Sequence, residues 1–150
     1  MRAVVQRVTS ASVTIEGEVF ASIRQGVLVL VGIEDNDSID DGQWLAAKIS
    51  NMRIFDDEKG VMNKSVSDVH GEALVISQFT LFASTKKGNR PSYIKAGKPE
   101  YASKMYEIFC RQISSEMSRP AKTGIFAAHM IIQSVNDGPV TILIDSKARE

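Results

Sequence analysis

The chain has 150 residues, 43% of them hydrophobic and 24% charged, and its 18 basic and 18 acidic side chains leave a formal net charge of zero. That balance excludes a disordered chain and a protein that grips nucleic acid by bulk charge alone. A length of this order is expected to form one domain over residues 1–150, burying roughly two thirds of its unfolded surface, so disulfides are not needed for a core.

The first half reads mostly as strands. Arg2 to Val8 is rich in β-branched residues, and Val13-Thr14-Ile15 leads into Glu16-Gly17, a hairpin turn from which Val19 to Ile23 returns. Gly26 to Ile33 is an unbroken apolar run, the pattern of a strand buried on both faces. Asp37 or Ser38 caps a helix that carries Trp44, Leu45, Lys48, Ile49 and Met52 at helical spacing.

Arg53-Ile54-Phe55 reads as a short strand before the turn at Asp57 to Gly60, and Ala73 to Phe79 as a longer one. Ala83 to Lys98 holds Gly88, Pro91 and Gly97 and is expected to be a long surface loop, a type that is usually functional. Pro99 suits the first turn of a helix with an apolar stripe through Tyr101, Met105, Ile108, Phe109, Gln112, Ile113 and Met117. Two final strands, Ala128 to Val135 and Val140 to Ile144, flank Asn136-Asp137-Gly138-Pro139. Mainly β with two helices, the order fits a compact α+β sheet or barrel flanked by helices.

The N-terminus lacks the apolar stretch of a secretory signal, and the run around Val27 to Val31 is too short to span a bilayer, so a cytoplasmic location is expected. Cys110, the single cysteine, falls within the stripe of the second helix and reads as a buried inert thiol.

Charge is unevenly placed. Lys86, Lys87, Arg90, Lys95, Lys98 and Lys104 face one acid, Glu100, within their stretch. The run reads either as a solvated face or as a basic strip for the phosphates of a polyanionic substrate.

Glycine-rich phosphate loops, nucleophile elbows and zinc-type Cys/His spacings are absent, so no metal or cofactor is expected. His70 lies in a turn and reads as a surface residue, while His129 falls on a predicted strand. Two segments invite a chemical reading. Ser77-Gln78-Phe79-Thr80-Leu81-Phe82, at the end of a core strand, is either an ordinary amphipathic strand or a source of polar and backbone N–H groups that stabilise an oxyanion. Asn136 to Thr141 is either a simple turn or the site of a cis Gly138-Pro139 peptide with its carbonyls side by side.

With these segments, the chain resembles the D-aminoacyl-tRNA deacylase family over essentially its whole length. The likeness includes Arg2 to Val8, Arg53-Ile54-Phe55 with Gly60 and Met62-Asn63, and Ser77 to Leu81. It continues through Gly88 to Tyr93, Thr123 to Phe126 with Ala128 and Met130, and Asn136 to Thr141. His129 stands where many members carry an acid, and Tyr93 where Phe is commoner.

The resemblance implies a β-barrel-like homodimer with active sites at the subunit interface. It acts on D-aminoacyl-tRNA and also on glycyl-tRNA, because glycine has no side chain to exclude. It further implies a cis Gly138-Pro139 wedge entering the partner's site, with Ser77, Gln78, Phe79 and Thr80 forming the catalytic wall. Phe126 and Met130 line the adenosine side, and Arg7 braces the Gly-Pro loop. The resemblance implies too that the 2′-hydroxyl of the terminal adenosine assists hydrolysis, which suits a Thr80 with no base near it in the sequence and argues against a covalent threonine. Core packing is the plainer reading of Phe126 and Met130, and a surface strand position that of Arg7. A non-catalytic tRNA- or nucleotide-binding dimer module and a structural dimerisation domain are the competing functions.

Overall fold

The computed structural model describes residues 1–149. Strand β1 (Arg2–Ile15) turns through Glu16 and Gly17 into β2 (Glu18–Ile23), followed by β3 (Gly26–Gly32). Helix α1 (Ile39–Asn51) leads to the small hairpin β4 (Phe55–Asp56) and β5 (Met62–Lys64). Next come β6 (Glu72–Ser77), a 3-10 turn at Phe79–Phe82 and helix α2 (Pro99–Glu116), then β7 (Lys122–Thr123) and β8 (Ile131–Asp145).

The main sheet runs β2-β1-β3-β6-β7, with β8 paired to the other side of β1. The β1–β2 hairpin closes on two residues of positive φ, Glu16 (52°) and Gly17 (84°), the geometry whose twist matches antiparallel strands. Strands β3, β6 and β7 run parallel, and β3 and β6 carry the apolar runs expected of strands covered on both faces.

Alternation along these strands builds two cores. Val27, Val29, Val31, Ala73 and Val75 point to one face, where Leu45, Ala46 and Ile49 of α1 and Met105, Phe109 and Ile113 of α2 cover them. Leu28, Leu74 and Ile76 point to the other. Each fully buried side chain of this size contributes about 1.5–3 kcal/mol of transfer free energy.

Strand β1 serves both cores. Ala3 and Val5 enter the helix-covered core and Val8 enters the second. A register shift between Val8 and Ser10 then reverses the parity, so Ala11 and Val13 also enter the second core. The far half of β1 thereby curls over with β2 and the start of β8. Lys122 Nζ donates to the Ser22 carbonyl at 2.7 Å, and the Arg24 amide donates to Glu72 Oε2 at 2.7 Å, drawing the end of β2 toward β6 and β7. The result is a nearly closed barrel-like sheet flanked by two helices.

Several boundaries differ from the sequence-based expectation. Arg2 to Ile15 is one strand, because β8 pairs along both halves of it. The segment after β6 leaves the sheet at Ser77, and Phe79–Phe82 coils into a 3-10 turn where a strand was expected to Phe79. Asn136 to Pro139 does not separate two strands. It bulges from a single β8 that pairs with β1 before and after it. His129 precedes that strand and is exposed.

Ser38 is the cap of α1, forming a reciprocal capping box with Asp41. Asp37, the other candidate, is buried and holds the amino group of Met1, which also donates to Ser146 Oγ at 2.7 Å. Among the described residues, no helix is long and apolar enough to cross a membrane.

Candidate active site

Strands β3 and β6 end side by side, with Val31 opposite Ser77. Where they stop, a cleft of about 330 Å³ opens between the strand ends, the start of α2 and the turn after β7. It is lined by Val31, Ile33, Ser77, Gln78, Phe79, Ala96, Gly97, Pro99, Ala102, Phe126 and Ala127. No carboxylate, ammonium, guanidinium or imidazole belongs to this lining, so the cleft itself supplies no acid–base pair.

Backbone geometry supplies something else. The Gln78 amide extends the β3 pairing by donating to the Val31 carbonyl at 2.7 Å. The chain then turns, with Leu81 N–H donating back to the Gln78 carbonyl at 3.2 Å and Ala83 N–H to the Thr80 carbonyl at 3.0 Å. Between these, the Phe79 and Thr80 amides find no protein acceptor among the described residues. A helical turn leaves its first amides free in this way, and here the turn begins at the cleft.

Thr80 is half-buried, and its Oγ1 accepts a hydrogen bond from Gln78 Nε2 at 2.6 Å. Phe79 is exposed and meets the edge of Tyr93 at 5.1 Å, which joins the long loop to the cleft wall. Phe126 packs tilted against Tyr106 at 6.0 Å. Met130 is not part of the lining. A side chain on Gly124 would meet its sulfur at 2.4 Å, so Met130 packs over that glycine and against the second core.

Gly138 and Pro139 lie elsewhere within the chain, exposed on the bulge of β8, and the peptide joining them is cis. Two side chains hold this bulge. Asn136 Oδ1 accepts from the Val140 amide at 2.9 Å while its Nδ2 donates to the Val140 carbonyl at 3.2 Å. Arg7 is buried at 7% exposure, which replaces the surface position that its strand pattern suggested. Its Nε donates to the Asp137 carbonyl at 3.0 Å and NH1 to the Ile54 carbonyl at 2.8 Å, with Asp56 Oδ1 at 3.3 Å from NH1.

Cys110 is no candidate nucleophile, since burial pushes its thiol up to about 12. Burial likewise raises Tyr106, whose hydroxyl donates to the Val75 carbonyl at 2.8 Å.

A family model described as D-Tyr-tRNA(Tyr) deacylase matches residues 4–145. The chain belongs to this deacylase family. Proteins named D-aminoacyl-tRNA deacylase from Parabacteroides distasonis and Flavobacterium psychrophilum are 59% and 56% identical to it, over 150 residues and the full length of both chains. Among solved structures, a c-Myc DNA unwinding element binding protein superposes with a TM-score of 0.92 at 42% identity, covering 99% of this chain and 100% of its own. A probable eukaryotic D-amino acid tRNA deacylase superposes at 0.82 with 14% identity over 95% and 97% of the two chains, and so shares the fold.

This deacylase-family chain thus brings Ser77, Gln78, Phe79 and Phe126 to one cleft, with Thr80 adjacent. It leaves Gly138, Pro139 and Arg7 on a different part of the same subunit. Sequence reasoning missed Val31, Ile33, Ala96, Gly97, Pro99, Ala102 and Ala127 as lining residues. A usable signal was the small pair Ala96-Gly97 before Pro99: Gly97 donates to the Ile33 carbonyl at 2.8 Å, and a Cβ there would stand 3.2 Å from the same oxygen.

Proposed function

We propose that this chain is a D-aminoacyl-tRNA deacylase, one domain over residues 1–150, that hydrolyses the ester joining a D-amino acid to the 3′-terminal adenosine. Water adds to the ester carbonyl, the C–O bond to the ribose breaks, and free D-amino acid and tRNA result. The observation that carries the mechanism is the pair of unpartnered amides at Phe79, on the lining of a cleft without charged side chains, and at Thr80 beside it. Two fixed N–H donors stabilise the tetrahedral oxyanion without an ionisable residue. The adenosine 2′-hydroxyl then assists water in place of a protein base, and Thr80 acts as a pocket group whose hydroxyl is already engaged by Gln78.

Chirality is read by exclusion. In a homodimer, Gly138 and Pro139 of one copy enter the cleft of the other and clash with an L side chain, while a D side chain points away. Glycyl-tRNA mischarged on tRNA(Ala) passes the same filter, since it presents nothing to exclude. Support comes from the exposure of Gly138 and Pro139 on a bulge that Arg7 and Asn136 hold rigid. The apolar side chains that β8 leaves exposed beside them, Ile131, Val135 and Leu143, suit an interface. Phe126 lines the adenosine side, Met130 backs it, and the activity is placed in the cytoplasm.

The absence of charged groups from the cleft favours one rival, a non-catalytic tRNA- or nucleotide-binding dimer module. Incubation with D-Tyr-tRNA and L-Tyr-tRNA separates the two. Release of D-tyrosine alone is expected; binding without release would establish the module, and a monomer in solution would remove the shared site.

A further inference from the structure

The loop between the 3-10 turn and α2 is built onto the cleft at both ends. It leaves from Ala83, the residue after Phe82, and it returns through Tyr93, which packs on Phe79, and through Ala96 and Gly97, which line the cleft. Its neck is pinned: Ser84 N–H donates to the Ser92 carbonyl at 2.8 Å, and Ser92 N–H donates back at 2.9 Å. Thr85 to Pro91 therefore form a closed tip beside the cleft, turned at Gly88 by a φ of 66°.

The tip carries Lys86, Lys87 and Arg90, all exposed, and no acidic residue. Many cations elsewhere stand against an acid: Arg2 with Asp145, Arg7 with Asp137, Lys64 with Glu58, Lys104 with Glu100, and Lys147 with Asp41. Arg119 and Lys122 share Glu72. At the neutral net charge of the chain, three exposed cations on one pinned tip, none with an acidic partner among the described residues, form a local anion-binding surface. It lies beside a cleft that has no charge of its own.

We propose that Lys86, Lys87 and Arg90 bind backbone phosphates of the RNA next to the terminal adenosine held in the cleft. This rests on the deacylase reading above and deepens it by naming the residues that hold the substrate's polyanionic part. Lys98 is excluded from the set, because its amide is bonded to Asp35 Oδ1 and an acid therefore stands beside it. Binding by the tip is independent of base identity, since phosphates position a nucleic acid without reading its sequence.

The test compares wild type with the triple variant Lys86→Gln/Lys87→Gln/Arg90→Gln, using Lys48→Gln/Lys59→Gln as a charge-loss control. Binding of uncharged tRNA is titrated against salt. Three lost phosphate contacts shrink the slope of log K against log[salt] by about 2.1 to 2.7. Between 50 and 200 mM salt the wild type then loses roughly 20- to 40-fold more affinity than the triple variant. The same variant should raise KM for D-Tyr-tRNA at least about tenfold with kcat held, and shift the ratio of kcat/KM on D-Tyr-tRNA to that on D-tyrosyl adenosine ester, which has no phosphate. An unchanged salt slope, or equal losses on both substrates, overturns the proposal. Failure of wild type to hydrolyse either substrate would instead strike the deacylase reading, and the salt slope on uncharged tRNA would still decide the role of the tip.

Discussion

Arg7 Nε donates to the carbonyl of Asp137 at 3.0 Å across 130 residues of sequence, and its NH1 reaches the Ile54 carbonyl at 2.8 Å. One buried guanidinium thus ties the Gly138-Pro139 bulge to the segment that enters β4. Two carbonyls in different directions need a planar fork, which lysine lacks. Arg7→Lys should lower stability by about 1–3 kcal/mol, the cost of leaving buried acceptors unpaired. Deacylation of D-Tyr-tRNA should fall further than the folded fraction does. Thermal denaturation beside turnover checks both, and full activity in a destabilised variant would remove Arg7 from the positioning of the bulge.

Gly138 has a φ of 138°, a region that side chains rarely adopt, and a Cβ there would stand 2.7 Å from Val140 Cγ2 and 2.8 Å from the Val140 amide. Gly138→Ala should strain the bulge by about 1–3 kcal/mol and displace it from Asn136 and Arg7. The expected result is a loss of D-Tyr-tRNA hydrolysis of at least tenfold, on the order of 1.4 kcal/mol at the transition state, or a weakened D/L ratio. Wild-type discrimination and rate in this variant would sink the wedge.

Thr80 Oγ1 accepts from Gln78 Nε2 at 2.6 Å, and no base faces it in the cleft lining. Thr80→Ala removes that bond and keeps the amides of the turn. Single-turnover deacylation should slow by less than about tenfold, the scale of one neutral hydrogen bond of ~1 kcal/mol. A fall of several orders of magnitude would point to a covalent threonine.

Acid should loosen the start of α1. Burial alone would raise the Asp41 carboxyl, but hydrogen bonds from Lys147 and Ser38 outweigh it and hold the group well below the usual carboxylate range. Its contribution is complete above its unfolded-state value, about pH 4, and is lost as pH falls from there toward the lower folded-state value. Asp41→Asn should be less stable than wild type near pH 7 and lose less melting temperature on acidification to about pH 2. Parallel pH–Tm curves for the two proteins would show that Asp41 contributes nothing to acid lability.

What local sequence determined is what depends on near neighbours. The apolar run from Gly26 to Gly32, the Glu16-Gly17 turn, a cap at Asp37 or Ser38 and Pro99 at the head of α2 each follow from residues within a few positions, and the fold chose Ser38 for the cap. The segment Ser77 to Thr80 stood out for its polar residues at the end of an apolar strand, and its family likeness was legible without coordinates. The rest depended on partners far along the chain. Val8 and Ala11 share a face only because β1 shifts register against β8, and Asn136 to Pro139 became a bulge because β1 pairs on both sides of it. From its own neighbours Arg7 read as a surface strand residue, and only the family likeness had it brace the Gly-Pro loop; its partners, the Asp137 and Ile54 carbonyls, came with the fold. The free amides of Phe79 and Thr80 arose where β6 leaves the sheet, a break that no propensity of Phe or Thr announces. Periodicity reports which residues are buried; which backbone groups are left unbonded is decided when distant strands meet.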